Sequence, residues 1–343
     1  MKEHQGSKLG KWIIGLVILL IILVGGYSYT KWRALTSAVV VNDKNTPNEI
    51  KEGKPFSVLV MGTDVGALGR GTSYAGNTDT MELITVNPKQ KRVLMVAIPR
   101  DTLVKVNTKR GADYVKINAA YAIGGAKQAE KQVSELLDVP VNYYALTNMG
   151  TLEKVVDAVG GVNVNNPFAF TYEGHHFKMG WQHLNGSNAL KYSRMRYDDP
   201  NNDYGRQKRG QQVIQSVIES FKEHGSIEAA NKIMTATKDG VRTNVSLDNL
   251  ASLYLHYHQA LSSTKKDHLQ GKNATIEGVS FQIASPSEIN RISKEVRLSL
   301  GLSAKSKVVN NETKLYDQQT TWDGYQNIEF VLPNGAHYNQ PGK

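Results

Sequence analysis

The chain has no cysteine. Disulfide bonds, cysteine nucleophiles and cysteine-ligated zinc are therefore excluded, while the compartment stays open. Several phosphate-binding and nucleophile signatures are missing too. The glycine-rich "VGALGRGTSYAGNT" (65–78) has no Gly-Lys-Ser/Thr after it and does not match G-x-G-x-x-G. No G-x-S-x-G turn is present, and there is no internal repeat. His175, His176 and His183 lack a spacing that would organise a metal, and His256 and His258 point to different faces of an expected helix. Long apolar runs are scarce: only "WIIGLVILLIILVGGYSY", Trp12 to Tyr29, reaches membrane-spanning length.

That run carries no charge and follows Lys2, Lys8 and Lys11, with Trp12 and Tyr29 at its ends. The pattern predicts an uncleaved anchor with its N-terminus in the cytoplasm and the C-terminal portion outside. A cleavable signal peptide, with a small-x-small site at Thr36 to Ala38, is the competing reading. The expected division is a cytoplasmic tail (1–11), an anchor (12–30), a polar linker (31–52), an extracellular catalytic domain (53–305) and a polar C-terminal tail (306–343), the last partly disordered.

Hydrophobic residues make up 40% of the chain and charged residues 21%, which suits a globular body. The net charge of +10 points to an anionic partner. Buried-strand runs at "PFSVLVMGTD" and "VLMVAIP" alternate with helical stretches at "KINAAYAIGGAKQAEKQVSELLD", "QQVIQSVIESFKEH" and "SPSEINRISKEVRLSL". Further helices are expected at "TLEKVVDAVG" and "SLDNLASLYLHYHQAL", and further strands at "TMELITVNP", "VNYYALTN" and "TIEGVSFQI". The alternation predicts an α/β sandwich around a central sheet.

Charge concentrates in "YSRMRYDDPNNDYGRQKRG", Tyr192 to Gly210, which holds four of the 12 arginines (Arg194, Arg196, Arg206, Arg209) and only one of the 29 lysines. Arg offers a planar fork of donors suited to carboxylate or phosphate oxygens. A solvated surface turn is the plain alternative. Elsewhere, if "NPKQKR" closes a hairpin in which Asn87 pairs with Arg92, the same register places Asp79 opposite Arg100. A first strand parallel to the third brings Asp64 to the same end, although a slip of one residue would separate them. Two close carboxylates repel unless a cation lies between them, and oxygen ligands favour a hard ion such as Mg²⁺. Together with the arginines they form a candidate diphosphate site.

In order, the N-terminal anchor, "MGTD", "NTDT", "IPRDT", "KINAAYAIGG", "GGV" and "LKYSRMRYDDPNNDYGRQKR" closely resemble the LytR-CpsA-Psr family of bacterial cell-wall proteins, from about Phe56 to Ile218. The resemblance implies a three-layer α-β-α sandwich with a central mixed sheet and a hydrophobic pocket for a polyprenyl chain. It implies a phosphotransferase that moves an anionic glycopolymer, of wall teichoic acid or capsular type, from undecaprenyl diphosphate to the C6 hydroxyl of N-acetylmuramic acid in peptidoglycan. Asp64 and Asp79 would hold Mg²⁺, or one would help deprotonate the acceptor. Arg100, Arg194, Arg196 and Arg206 would bind the diphosphate, with Asp203 and Arg209 supporting them. The membrane would be a partner and nucleic acid would not. A polyprenyl-diphosphate hydrolase and a non-catalytic lipid-binding module are the alternatives. Two departures stand out: Asn77 where members commonly carry Arg, and Gly210 where they commonly carry Gln. Lys105, Lys109 or Arg110 could supply the missing cation.

Overall fold

The computed structural model describes residues 47–63, 76–108, 111–224, 240–245, 252, 256–257, 260, 263–333 and 336–338. The apolar run from Trp12 to Tyr29, Asp64, most of the glycine-rich loop, Lys109, Arg110 and most of the helix expected at 246–261 lie outside the described residues. Among the described residues no helix is long and apolar enough to cross a membrane.

The chain opens with β1 (Phe56–Thr63), β2 (Thr78–Asn87) and β3 (Arg92–Ala97), followed by a hairpin of β4 (Leu103–Thr108) and β5 (Gly111–Lys116). Then come α1 (Ala119–Leu137), β6 (Tyr143–Asn148) and α2 (Met149–Ala158). A run of short strands follows: β7 (Val162–Asn166), β8 (Phe170–Tyr172), β9 (His175–Phe177) and β10 (Gly180–Leu184). Next are α3 (Gly186–Arg194), α4 (Asn202–His224), β11 (Val241–Thr243), β12 (Ser263–His268), β13 (Gly271–Ile276) and β14 (Val279–Ala284). The described chain ends with α5 (Pro286–Ser299) and α6 (Asn311–Asp317).

Six strands form a mixed sheet in the order β11-β6-β1-β2-β3-β12. β1 runs parallel to β6 and antiparallel to β2, and β3 runs parallel to β12. The expected register holds: Asn87 pairs with Arg92, and the ladder runs on through Glu82 and Ala97 to Ile98 N–H donating to Met81 O at 2.9 Å. The turn is local chemistry. Asn87 Oδ1 accepts from Gln90 N–H at 3.0 Å, and Lys91 takes the left-handed conformation with φ 50°.

One sheet face carries Leu59, Met61, Leu83, Leu94, Val96 and Leu146, all buried against α1 and α5. The opposite face meets α4. Near the start of β1 it packs Phe56 and Tyr143 against Tyr257 and Ala260. Farther along, Val58, Val60, Ile84 and Ala145 on this face stay half-buried. A separate core of Val162, Phe170, Phe177, Tyr192, Met195 and Val213 joins α2, α3 and α4 to the β7–β10 region.

Two expectations are corrected. "TIEGVSFQI" is a hairpin, not one strand: Glu277 and Gly278, at φ 49° and 78°, make the two-residue turn between β13 and β14. The polar tail is folded through residues 306–333. Asn310 and Thr313 form a capping box at α6, and Leu315, Trp322 and Phe330 pack on Phe281 and Leu103. A few large aromatics bury enough area to order a segment whose mean composition is polar. α1 is broken at Gly124 and Gly125 as expected.

Two glycines of α4 respond to substitution in opposite directions. A Cβ at Gly205 would collide with the Asp199 carboxyl, whereas one at Gly210 meets nothing within 4 Å. Gly205→Ala is expected to destabilise by about 1–3 kcal/mol, as overpacking does. Gly210→Ala should stabilise by about 0.5–1 kcal/mol through helix propensity. Urea unfolding of both variants checks the pair, and a Gly205→Ala protein as stable as the parent would refute the close approach.

Candidate active site

The site grows from one turn. Pro99 ends β3 and accepts hydrogen bonds at its carbonyl from Thr102 N–H (3.0 Å) and Thr102 Oγ1 (2.7 Å), so Arg100 and Asp101 sit at the tip of a tight turn. Asn118 closes it from the other side. Its N–H donates to Arg100 O at 3.2 Å, and its carbonyl accepts from Thr78 N–H at 3.2 Å. The start of α1 thus fixes the Arg100 turn against the first residue of β2. Next in the chain is Asp79, whose Oδ1 accepts from Arg100 Nη1 at 2.6 Å.

From this pair a line of alternating charges crosses to α4. Arg100 Nε lies 3.7 Å from Asp101, and Lys116 Nζ lies 2.8 Å from the same carboxylate. Arg196 spans Asp101 and Asp203, at 3.8 Å from each. Arg206 grips Asp203 with two donors at 2.8 and 3.3 Å, and Gln207 adds a third at 2.8 Å. Burial alone would raise the Asp203 pKa, but Arg206, Gln207 and Arg100 together hold it below the usual carboxylate range. For Arg100, burial opposes the charge, yet Asp79, Asp101 and Asp203 raise its pKa further, so it stays charged.

The arginines of Tyr192 to Gly210 divide by how their donors are used. Arg209 is 3% exposed and spent: it pairs with Asp199 and donates to the carbonyls of Tyr192 and Met195, beside the stacked rings of Phe170 and Tyr192. It braces the loop from inside. Arg194 is turned to the β8–β9 hairpin, where it holds Glu173 at 2.6 Å. Arg206 is committed to Asp203. Arg196 and Arg100 are the underused pair. Among the described residues Arg196 makes no ion pair shorter than 3.8 Å, and it lies over the exposed ring of Tyr197. Arg100 Nε is buried with no hydrogen-bond partner among the described residues. A buried charged donor left unmade costs free energy unless a ligand satisfies it.

Asp64 lies outside the described residues. β1 ends with Thr63 beside Thr78, next to Asp79, as the expected strand directions require. Among the described residues Asp79 makes one hydrogen bond, to Arg100, and it stays about a quarter exposed, so its carboxylate retains lone pairs for a hard cation. Among the described residues no three His, Cys, Asp or Glu side chains converge on one point. This donor set suits Mg²⁺, which takes one or two protein carboxylates and fills its shell with water and phosphate oxygens. His176 bonds Thr171, and His183 bonds Asn163 and the Gly160 carbonyl.

Lys116 was not singled out by sequence reasoning. The lysines and arginine of 105–110 drew attention as substitutes for the cation missing at Asn77, but the Lys105 ammonium lies over the Tyr114 ring and Lys109 and Arg110 are outside the described residues. The signal was the lysine of "KINAAY", the first residue of a stretch read as helical, which the structure places at the end of β5. Glu82 was missed as well. It is a buried acid on β2, tied to Gln211 of α4 at 2.7 Å.

Known proteins share this arrangement of elements. The chain is 36% identical over 302 residues to the polyisoprenyl-teichoic acid–peptidoglycan teichoic acid transferase TagU of Enterococcus faecalis, covering 86% of this chain and 98% of that one. Among solved structures it resembles protein gbs0355 of Streptococcus agalactiae with a TM-score of 0.72 and 34% identity, covering 81% of this chain and 100% of that one. It also resembles TagT bound to LI-WTA with a TM-score of 0.60 and 26% identity, covering 77% of this chain and 99% of that one. These structures share the mixed sheet and its helices with the present fold. The LytR_cpsA_psr family profile matches residues 24–298, wider than the stretch over which the motifs alone could be followed, and the chain belongs to that family.

Proposed function

We propose that this protein is a phosphotransferase of the cell envelope that moves a polyprenyl-diphosphate-linked anionic glycopolymer, of the teichoic acid class, onto peptidoglycan. The observation that carries the reading is the unsatisfied Arg100 Nε next to the loosely held Arg196, at the open end of the sheet. Two forked cations with spare donors beside Asp79 match a diphosphate. The half-buried Val58, Val60, Ile84 and Ala145 support the second part of the substrate. They form an apolar stripe on the sheet face that meets α4, running toward the end where Asp79 and Arg100 lie, and such a stripe suits a polyprenyl tail. The pocket bounded by described residues near Thr102 and Phe330 holds only about 10 Å³ and is no lipid site.

In the proposed reaction an acceptor hydroxyl oxygen forms a bond to the phosphorus nearer the glycopolymer. The bond from that phosphorus to the bridging oxygen breaks, and polyprenyl phosphate leaves with the electron pair. Arg100 and Arg196 take the negative charge that develops on the phosphoryl oxygens, and such fixed donors are the main source of rate in a site of this kind. Asp79, held by Arg100, or Asp64 receives the acceptor proton. Both would hold Mg²⁺, which when bound would neutralise part of the diphosphate charge. The anchor at Trp12 to Tyr29 would keep the domain at the outer membrane surface, where a lipid donor resides. The surplus of positive charge favours anionic headgroups and polymers.

The test uses the full chain in detergent micelles, a polyprenyl-diphosphate-linked saccharide donor and peptidoglycan. Arg100→Ala and Asp79→Ala are expected to lose roughly 10²–10³-fold in transfer rate with the fold intact. Retained transfer in both would overturn the assignment. Product that forms equally well without peptidoglycan would favour hydrolysis instead.

The two classes of arginine separate by stability. Arg196→Ala should cost less than about 0.5 kcal/mol, as partly exposed long-range pairs do, while lowering transfer. Arg209→Ala leaves Asp199 buried and unpaired and should cost about 3–5 kcal/mol. Thermal unfolding and transfer assays on the same preparations check the contrast, and equal destabilisation in both would refute the division.

A further inference from the structure

Glu82 takes no part in the charge line of the site, yet it is 8% exposed in the middle of the sheet. Its cross-strand neighbours are Val60 of β1 and Ala97 of β3. On α4, Gln211 Nε2 donates to Glu82 Oε1 at 2.7 Å, joining segments 129 positions apart. The charged group that faces it is Lys266 of β12, whose ammonium also holds Gln215, one turn farther along α4. Among the described residues α4 presents the neutral Gln211 amide to it, and β1 and β3 present aliphatic carbon.

We infer that Glu82 is a positioning residue for the transfer site: through Gln211 it ties the strand that carries Asp79 to the helix that carries Arg206 and Asp203. The inference rests on the transferase reading above. Asp79 lies three residues before Glu82 on β2, roughly 10 Å along the strand. Arg206 lies five residues before Gln211 on α4, roughly 7–8 Å along the helix. The Glu82–Gln211 contact is thus the rung that sets the distance between the two charged sides of the site, and positioning errors on the scale of 1 Å cost rate heavily.

Protonation matters because of what surrounds the acid. Burial pushes the Glu82 carboxyl up to about 7, although the Gln211 hydrogen bond and the Lys266 charge pull it down. Gln211 donates to the carboxyl in either state, so the difference between the two states lies in desolvation. When ionised, the carboxylate has the Gln211 donor and the Lys266 charge on one side and the aliphatic carbon of β1 and β3 on the others, and its desolvation, the largest of these effects, works against the packing between β2 and α4. The sign follows from linkage. The folded state holds this proton more tightly than the unfolded chain, so stability is full below the ordinary carboxylate range and falls as pH rises through about 7.

The experiment compares the parent, Glu82→Gln and Glu82→Ala as full chains in detergent micelles. Each is assayed from pH 5 to 9 for thermal unfolding and for transfer from a polyprenyl-diphosphate-linked disaccharide to peptidoglycan. The parent Tm should fall between pH 5 and 8, and Glu82→Gln should lack that part of the fall. The parent kcat should decline above about pH 7, Glu82→Gln should keep its rate there, and Glu82→Ala should lose roughly tenfold in kcat relative to the parent at pH 5–6, with little change in KM and no decline of its own through pH 7. If the Tm profile of Glu82→Gln superimposes on that of the parent, or if Glu82→Ala keeps full kcat, the inference is wrong. A parent without any transfer activity would sink the functional reading instead, and the Tm comparison would then decide this inference alone.

Discussion

The register of the β2–β3 hairpin is the constraint on which the site depends. Asn87 opposite Arg92 at the closed end places Asp79 beside Arg100 at the open end, and side chains alternate faces along both strands. A slip of one residue would turn Arg100 from the carboxylate and dismantle the line of charges that continues through Asp101, Arg196 and Asp203. The register is held twice over. The Asn87 side chain shapes the turn, and the apolar face of Leu83 and Val96 must stay against α1 and α5.

Around that hairpin the protein separates charge that holds structure from charge that is available. Arg209, buried beside two stacked aromatic rings and bonded to a carboxylate and two carbonyls, fixes the loop from Met195 to Asp199. The fixed loop then presents Arg196, whose own contacts are long. Gly205 belongs to the same device, because only a residue without Cβ lets α4 start so close to Asp199. A cluster of four arginines in sequence is therefore not four equivalent ligands. Two are braces, one is committed to Asp203, and one is free to move toward an anion.

The part legible from sequence was the part governed by short-range rules. The hairpin could be read because a turn between two apolar runs fixes its own register, and residues 211–224 of α4 could be read from their apolar spacing, whereas its charged first part, from Asn202, was read within the arginine-rich turn. The glycine break in α1 was visible for the same reason. The β13–β14 hairpin was lost because Glu277, at positive φ, is not a residue that advertises a turn. The folded tail was lost because Trp322 and Phe330 act through contacts with Phe281 and Leu103, far away in sequence. Lys116 and Glu82 were missed for a related reason. Each lies inside a stretch whose local pattern already had an explanation, as helix start or as strand, and each gains its meaning from a partner on another element.

The charge at the site and the apolar stripe specify different things, and only their conjunction narrows the ligand. Forked cations with spare donors would accept any phosphate, sulfate or carboxylate. A half-buried aliphatic stripe would accept any lipid or apolar peptide. Because the stripe of Val58, Val60, Ile84 and Ala145 lies on the same sheet that positions Asp79 and Arg100, the two demands fall on one molecule, anionic at one end and greasy at the other. Free nucleotides fail the second demand and neutral lipids fail the first. A diphosphate on a long isoprenoid meets both, and its remaining ester leaves room for a saccharide outside the sheet, where Arg196 and the exposed ring of Tyr197 lie.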